Sequence, residues 1–307
     1  MKGAAEIFSF LLTAQDRGEG TALVTLTNVI GSSSRAPGTH MGVSGAGASI
    51  GSFSGGCVEA AVITEARRVI GNGTAERVRF GAGSPFIDVR LPCGGGIDLL
   101  ITPDPDTRTL RTALELLERR EPVTLRLGLD GTMQVVGNID ADQTGLGFLV
   151  RHEPDLRILI LGHGAEVLAL ARIATTYGAL VEVFTPDETL ITELERAEIA
   201  HHPLSGPKSV PGVDVDGRTA IVFLFHDHDW EPDLLAWALG QQAVYVGAMG
   251  SQATHANRLE GLAAQGVPSE AFSKLIGPIG IIRAARDPET LALSVLAQVV
   301  DTLRNVN

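Results

Sequence analysis

Cysteine is scarce in this chain: Cys57 and Cys93 are the only two among 307 residues. That excludes a disulfide framework and leads us to expect a cytoplasmic protein with reduced thiols. Basic residues are also in deficit, with 24 Lys and Arg against 36 Asp and Glu and a net charge of −12. A nucleic-acid partner is therefore not expected, because phosphate contacts need clustered Lys and Arg. No apolar run approaches the roughly 18 residues of a membrane span, so no membrane partner is expected either. The opening "MKGAAEIFSFLL" carries Glu6 and lacks a small-residue cleavage site, and it reads as a helix rather than a signal peptide. Aromatics are only 5% of the residues, which leaves a core of Ala, Val, Leu and Ile. G-x-S-x-G, Walker A and H-E-x-x-H motifs are missing; "GSFSG" imitates the first but has Phe53 at the nucleophile position.

What is present fits two globular domains, with 44% hydrophobic and 20% charged residues. Glycine, at 36 residues, is enriched over the usual ~7% and concentrated in loops. In the first half, "TALVTLTNVI" (21–30), "THMGV", "ASIGS", "ERVRF" and "GIDLLIT" read as strands, and "CVEAAVITEARRVI" as a helix on a 3.6-residue period. A helix over 107–120 and a hairpin about Asp130-Gly131 follow, and "RHEPDL" (151–156) reads as a linker. In the second half, strands "RILILG", "ALVEVF", "TAIVFLF" and "AVYVGA" alternate with helices, which implies a parallel sheet. The last helix starts at Asp287-Pro288, an N-cap followed by proline at the first position. The fold class is α/β: an N-terminal α+β domain over 1–150, then a Rossmann-like, doubly wound parallel-sheet domain over 151–307.

Candidate sites fall in both halves. In "LGHGAEV", Gly162 and Gly164 stand where a dinucleotide loop has its first two glycines, but the third position is Val167. The acid expected after the second strand is replaced by Thr185-Pro186, with Asp187 slightly too far along. NAD(P) binding and a Rossmann domain without it both remain open. "FHDHDW" (225–230) reads as a polar crest loop, since a metal site would need a third ligand group. Ser251 and His255, with Thr254 and Arg258, open a helix that either binds an anion or is simply capped by Ser251. In the first half, "GSSSRAPG" offers Ser32, Ser33 and Arg35 as a phosphate cradle or as an exposed turn. Cys57, preceded by Gly55 and Gly56 at a helix start, is either a reactive thiolate or a small buried hydrophobe. Cys93, beside further glycines, either shares that site or packs.

Taken together, the blocks "GSSSRAPGTHM", "GSFSGGCVEA", "CGGGIDLLITP", "ILGHGAEVLALARIA", "HDHDWEPDLLAWAL", "VGAMGSQATHANRLEGL" and "GPIGIIRAARDPETLALSVLAQVV" resemble the XdhC/CoxI family. These are accessory proteins of xanthine dehydrogenase and related molybdenum hydroxylases. The resemblance implies a chaperone that binds molybdenum cofactor (molybdopterin), assists its sulfuration through a cysteine desulfurase and delivers it to the apo-hydroxylase, without turnover of its own. It further implies that Cys57 contacts molybdenum or its exchangeable sulfur, while Ser32, Ser33 and Arg35 hold the terminal phosphate. A homodimer is expected on general grounds.

Overall fold

The computed structural model describes residues 3–54, 56, 58–84, 94–137 and 147–306, with the backbone alone at His228 and Val306. The chain forms two compact units, Met1–Pro154 and Asp155–Asn307.

Unit 1 is built on a five-stranded antiparallel sheet: β1 (Thr21–Ile30), β2 (His40–Ser44), β3 (Ser49–Ile50), β4 (Glu76–Gly81) and β5 (Gly96–Pro103), in the order β3-β2-β1-β5-β4. Helix α1 (Ala4–Asp16) buries Ile7, Phe8, Leu11 and Leu12 along one stripe, and α3 (Thr107–Glu118) does the same with Leu110, Ala113 and Leu117. Both pack against Leu23 and Leu100 on one sheet face. Helix α2 (Glu59–Asn72) sets Val62, Ala66 and Val69 against Val24, Leu26, Leu99 and Ile101 on the other. Alternation along β1 and β5 feeds both cores from the same strands.

A smaller sheet, β7-β6-β8, joins β6 (Val123–Gly128), β7 (Met133–Val136) and β8 (Gly147–His152). Asp130 closes the β6–β7 hairpin by accepting from the Thr132 N–H at 3.0 Å, with Gly131 at φ 90°. The expected linker at 151–156 is corrected here. Arg151 and His152 belong to β8, where His152 pairs with Val123, so the first unit ends at Pro154 rather than at 150. His152 is fully buried; its Nε2 lies 3.2 Å from His40 Nε2, and His40 Nδ1 lies 2.9 Å from Thr25 Oγ1. Burial, and then the neighbouring His152, push His40 well below its usual pKa; burial is the largest cause that takes His152 down to about 3. Both rings are neutral and part of the core.

Unit 2 is an all-parallel sheet of β9 (Arg157–Gly162), β10 (Leu180–Thr185), β11 (Ala200–Pro203), β12 (Thr219–Leu224), β13 (Tyr245–Ala248) and β14 (Leu275–Ile276). Its order, β11-β10-β9-β12-β13-β14, is the doubly wound Rossmann order with the switch point between β9 and β12. Helices α4 (Ala165–Tyr177), α5 (Glu188–Arg196) and α9 (Pro288–Val306) share one core. Helices α6 (Glu231–Leu239) and α7 (Gln252–Ala264) pack on the other, with the short α8 (Ser269–Phe272) nearby. The helix stops and starts follow the sequence: Gly178 caps α4 at φ 85°, and Asp287 Oδ1 accepts from Thr290 N at 2.8 Å at the head of α9. Among the described residues, no helix is long and apolar enough to cross a membrane.

Candidate functional site

The pairing of β1 with β5 sets Ile30 opposite Gly96. The segment leaving β1 and the segment entering β5 therefore emerge at one edge of the sheet. A side chain added at Gly31, which has φ 77°, would stand 3.5 Å from the Gly95 Cα. The loop after β3 comes to the same edge. Gly51 lies so close to β2 that an added Cβ would meet His40 O at 2.7 Å, and its φ of 92° favours glycine as well. Arg35 Nε then donates to Ser52 O at 3.2 Å, and Ser34 Oγ to Phe53 O at 3.3 Å. Three motifs far apart in sequence, 31–35, 51–59 and 94–96, are thus gathered at one end of unit 1.

The organiser of this edge is Glu59, the first residue of α2. Its carboxylate accepts from the Ser52 hydroxyl (2.8 Å), the N–H groups of Phe53 (3.0 Å), Ser54 (2.8 Å), Gly56 (2.7 Å) and Val58 (3.2 Å), and the Ser54 hydroxyl (2.8 Å). Burial opposes its ionisation, but the Ser54 N–H and the two serine hydroxyls outweigh it and hold the carboxyl at about 2. A carboxylate so placed also satisfies the open amides at the head of α2. Nothing in the sequence reading singled out Glu59. Its signal was an acid two residues after the cysteine, at the first helical position.

Of the site residues expected from sequence, Ser32, Ser33, Arg35 and Gly56 are on this edge. Arg35 is exposed, and its backbone N–H is bound by Ser33 Oγ at 3.2 Å. Gly56 adopts φ 125°, with open space where a Cβ would stand. Gly55, Cys57 and Cys93 lie outside the described residues.

The crest of unit 2 holds the remaining candidates. Gly162 is fixed by packing: an added Cβ would stand 2.5 Å from Leu224 O on the neighbouring strand. Gly164 has φ 87° and precedes α4 as its N-cap. Val167, at the third glycine position, is buried in the core beside Leu170 and Ile160. In the first turn of α4, Glu166 Oε2 accepts from His226 Nε2 at 3.3 Å. Asp187, beyond the second strand, is spent on capping α5, where it accepts from Thr189 N at 2.9 Å and Leu190 N at 3.1 Å. Among the described residues, no group of three or more His, Cys, Asp or Glu side chains could hold a metal ion.

The anion alternative at the head of α7 gives way to capping. Ser251 Oγ accepts from Thr254 N at 3.1 Å. Arg258, set aside for an anion, is buried and donates two bonds of 2.7 Å to buried Glu231, with a third to Met249 O. His255 lies against Gly277, where an added Cβ would meet Nδ1 at 2.2 Å. Burial, and then Arg258, lower its pKa, so the ring is neutral. Ser251 therefore caps α7, while the buried Nδ1 of His255 lacks a hydrogen-bond partner among the described residues.

Comparisons with known proteins agree with this architecture. Residues 14–81 match the model of the XdhC and CoxI family, and residues 158–299 match that of the XdhC Rossmann domain. The chain is 36% identical over 296 residues to the molybdenum cofactor insertion chaperone PaoD of Escherichia coli, across 95% of this chain and 86% of that protein. A crystal structure described as a xanthine dehydrogenase from Bacillus halodurans superposes with a TM-score of 0.79 at 21% identity, over 98% of this chain and 96% of the other. At that identity the superposition speaks for the fold. With both halves matched in order and the relative covered almost end to end, the chain belongs to the XdhC/CoxI family.

Proposed function

We propose that this protein is a carrier of molybdenum cofactor that binds the cofactor, supports its sulfuration by a cysteine desulfurase, and hands it to an apo-hydroxylase such as xanthine dehydrogenase. One observation supports this most: the loops 31–35 and 52–58 meet at one edge, locked by the Glu59 carboxylate. Similarity to a molybdenum cofactor insertion chaperone supports that cofactor as the cargo.

In this reading Cys57 offers a soft thiolate to the molybdenum, a donor type suited to such a metal. Ser32, Ser33 and exposed Arg35 bind the terminal phosphate through hydroxyls and guanidinium. Gly55 and Gly56 let the cargo approach the backbone, and Cys93 is a second thiol for the same cargo. Glu59 touches the loop, not the cargo. By tying the amides on either side of residue 57, it keeps the edge in one arrangement before cargo arrives, which lowers the ordering cost of binding. The hydroxyls and the guanidinium gathered here suit holding and release of an anionic cargo.

The competing reading, an NAD(P)-dependent oxidoreductase, meets Glu166 where a dinucleotide would place its pyrophosphate. Two like charges at one helix start disfavour that ligand.

The test is direct binding of molybdenum cofactor to the purified protein, with NAD and NADP in parallel. The expected result is cofactor binding that weakens at least tenfold in Cys57→Ala, with no dinucleotide retained. Equal binding by Cys57→Ala would remove the thiol from the account, and dinucleotide binding without cofactor binding would replace the carrier with the oxidoreductase.

A further inference from the structure

A polar row crosses three strands of the unit 1 sheet, close to the Gly96 end of β5. Asp98 stands opposite Asn28 of β1 on one side and Arg79 of β4 on the other. Arg79 Nε and Nη2 meet its carboxylate side by side at 2.6 and 2.9 Å, and Asn28 Nδ2 adds a bond of 3.0 Å. The Arg79 bonds are the largest cause that holds the Asp98 carboxyl below its usual pKa, so both partners are charged. Alternation puts Asp98 on the same sheet face as Leu100, which lies in the core with α1 and α3. Asp98 continues that face toward the site edge: its side chain is 7% exposed, whereas that of Arg79 is 41% exposed.

The local backbone is bent to build this row. The β1–β5 register shifts between Leu26 and Asn28, so that Asn28 rather than Thr27 faces Asp98, and the displaced Thr27 hydroxyl donates to Asp98 O at 3.0 Å. Such bulges re-aim side chains and are over-represented beside functional sites. Past β4 the chain turns back over Arg79. Ser84 Oγ donates to Arg79 O at 2.8 Å, and a Cβ added at Gly83, which has φ 74°, would stand 3.6 Å from Arg79 Nη1.

A buried carboxylate is a poor device for stability, since apolar residues in place of such a pair often leave a fold as stable or more so. What Asp98 supplies is a guanidinium held in one place. Side-on pairing occupies Nε and one side of Nη2, and leaves the outer N–H groups of Nη1 and Nη2 without partners among the described residues. An arginine fixed in this way offers a fork to an oxyanion at little ordering cost. Charge agrees. Arg77, exposed on the same face of β4, joins Arg79 against the single carboxylate of Asp98, a local excess of positive charge in a chain of net charge −12.

We propose that Arg79, fixed by Asp98, is a second oxyanion subsite of unit 1, which takes a phosphate-type group through its outer N–H fork, with Asp98 as the positioning residue. It is distinct from the Ser32–Arg35 cradle. Arg35 is tied to Ser52 just beyond β3, at the opposite end of the sheet from β4, roughly 19 Å away in backbone at ~4.8 Å per strand step. That the oxyanion belongs to the cargo rests on the cofactor-carrying reading; the subsite itself does not.

The experiment is a nuclear magnetic resonance titration of the full chain with inorganic phosphate, with chloride at equal ionic strength as control. Binding is read at the Arg79 Nε–Hε signal and at the Gly81 and Gly83 amides, which report this end of the sheet. It is run on the parent, Arg79→Lys and Asp98→Asn. Lysine keeps the charge without the fork, at an exposed side chain where folding is not at stake; asparagine removes the charge that orients the guanidinium. The parent should show a saturable shift with phosphate alone, and both variants should bind phosphate at this end at least tenfold more weakly. No saturable shift, a shift that chloride reproduces, or equal affinity in Arg79→Lys overturns the subsite. Unchanged affinity in Asp98→Asn overturns Asp98 as its positioning residue. Intact molybdenum cofactor is titrated alongside: a parent that binds it without moving the Arg79 signal overturns the link to the cargo, whereas one that binds phosphate at Arg79 but not the cofactor overturns the carrier reading alone.

Discussion

Glu59 in unit 1 and Glu166 in unit 2 both stand in the first turn of a helix that follows a glycine-rich loop, yet the two regions use them in opposite ways. In unit 1 the carboxylate folds back on its own loop and is saturated by amides and hydroxyls from 52 to 58. In unit 2 it turns toward a cleft and meets one imidazole. A third acid, Glu231 at the first position of α6, is buried against Arg258 and belongs to the scaffold. The helix dipole favours an acid at all three starts. What separates the three is where the partner comes from: the same loop for Glu59, the loop after a neighbouring strand for Glu166, and another helix for Glu231.

The largest expected effect belongs to the scaffold pair. Arg258→Ala strands a buried carboxylate and should destabilise unit 2 by about 3–5 kcal/mol. Both tryptophans, Trp230 and Trp237, are in that unit, so their fluorescence on urea unfolding reads the loss directly. A change under 1 kcal/mol would return Arg258 to the list of anion binders.

Acid should act next, and on unit 1. His40 and His152 have folded pKa values depressed below the ordinary ~6.5. Their contribution is therefore complete above that value and lost as pH falls below it, by up to about 1.4 kcal/mol per pH unit for each ring. Amide protection factors in β2 and β8, taken relative to the intrinsic exchange rate at each pH, should fall from pH 6.5 downward, and His152→Phe should flatten the dependence. A profile identical in the variant would show that the pair does not couple to folding.

Smaller still is Glu59→Gln, expected to cost about 1–2 kcal/mol through weakened capping, with faster exchange confined to 52–58 and the first turn of α2. Because the Glu59 pKa is depressed, its contribution holds above about 4.5 and fades as pH falls toward 2. Glu166→Gln should change stability by less than about 0.5 kcal/mol. Equal thermal shifts in these two variants would erase the distinction between the two glutamates.

Much of the fold was legible because it is written locally. The Ser251 and Asp287 caps, the Asp130-Gly131 turn and the β-branched strands each declare themselves within a few residues. Strand β8 was hidden because Arg151 and His152 look like linker residues. His152 becomes a core residue only by meeting His40 and Phe8 from distant elements. The same reason hid both glutamates' roles and the fate of Arg258: each depends on a partner from another turn or helix. The site edge in unit 1 could be guessed from its motifs, whereas their meeting is a consequence of strand order.

Delivery tests the central claim most directly. A purified apo molybdenum hydroxylase would be mixed with cofactor-loaded parent, cofactor-loaded Cys57→Ala, or free cofactor at equal concentration, and the return of hydroxylase activity followed in time. The account predicts rapid activation by the loaded parent and at least tenfold slower activation by the variant and by free cofactor. Activation at one rate in all three would contradict it, because the protein would then carry nothing that the hydroxylase needs.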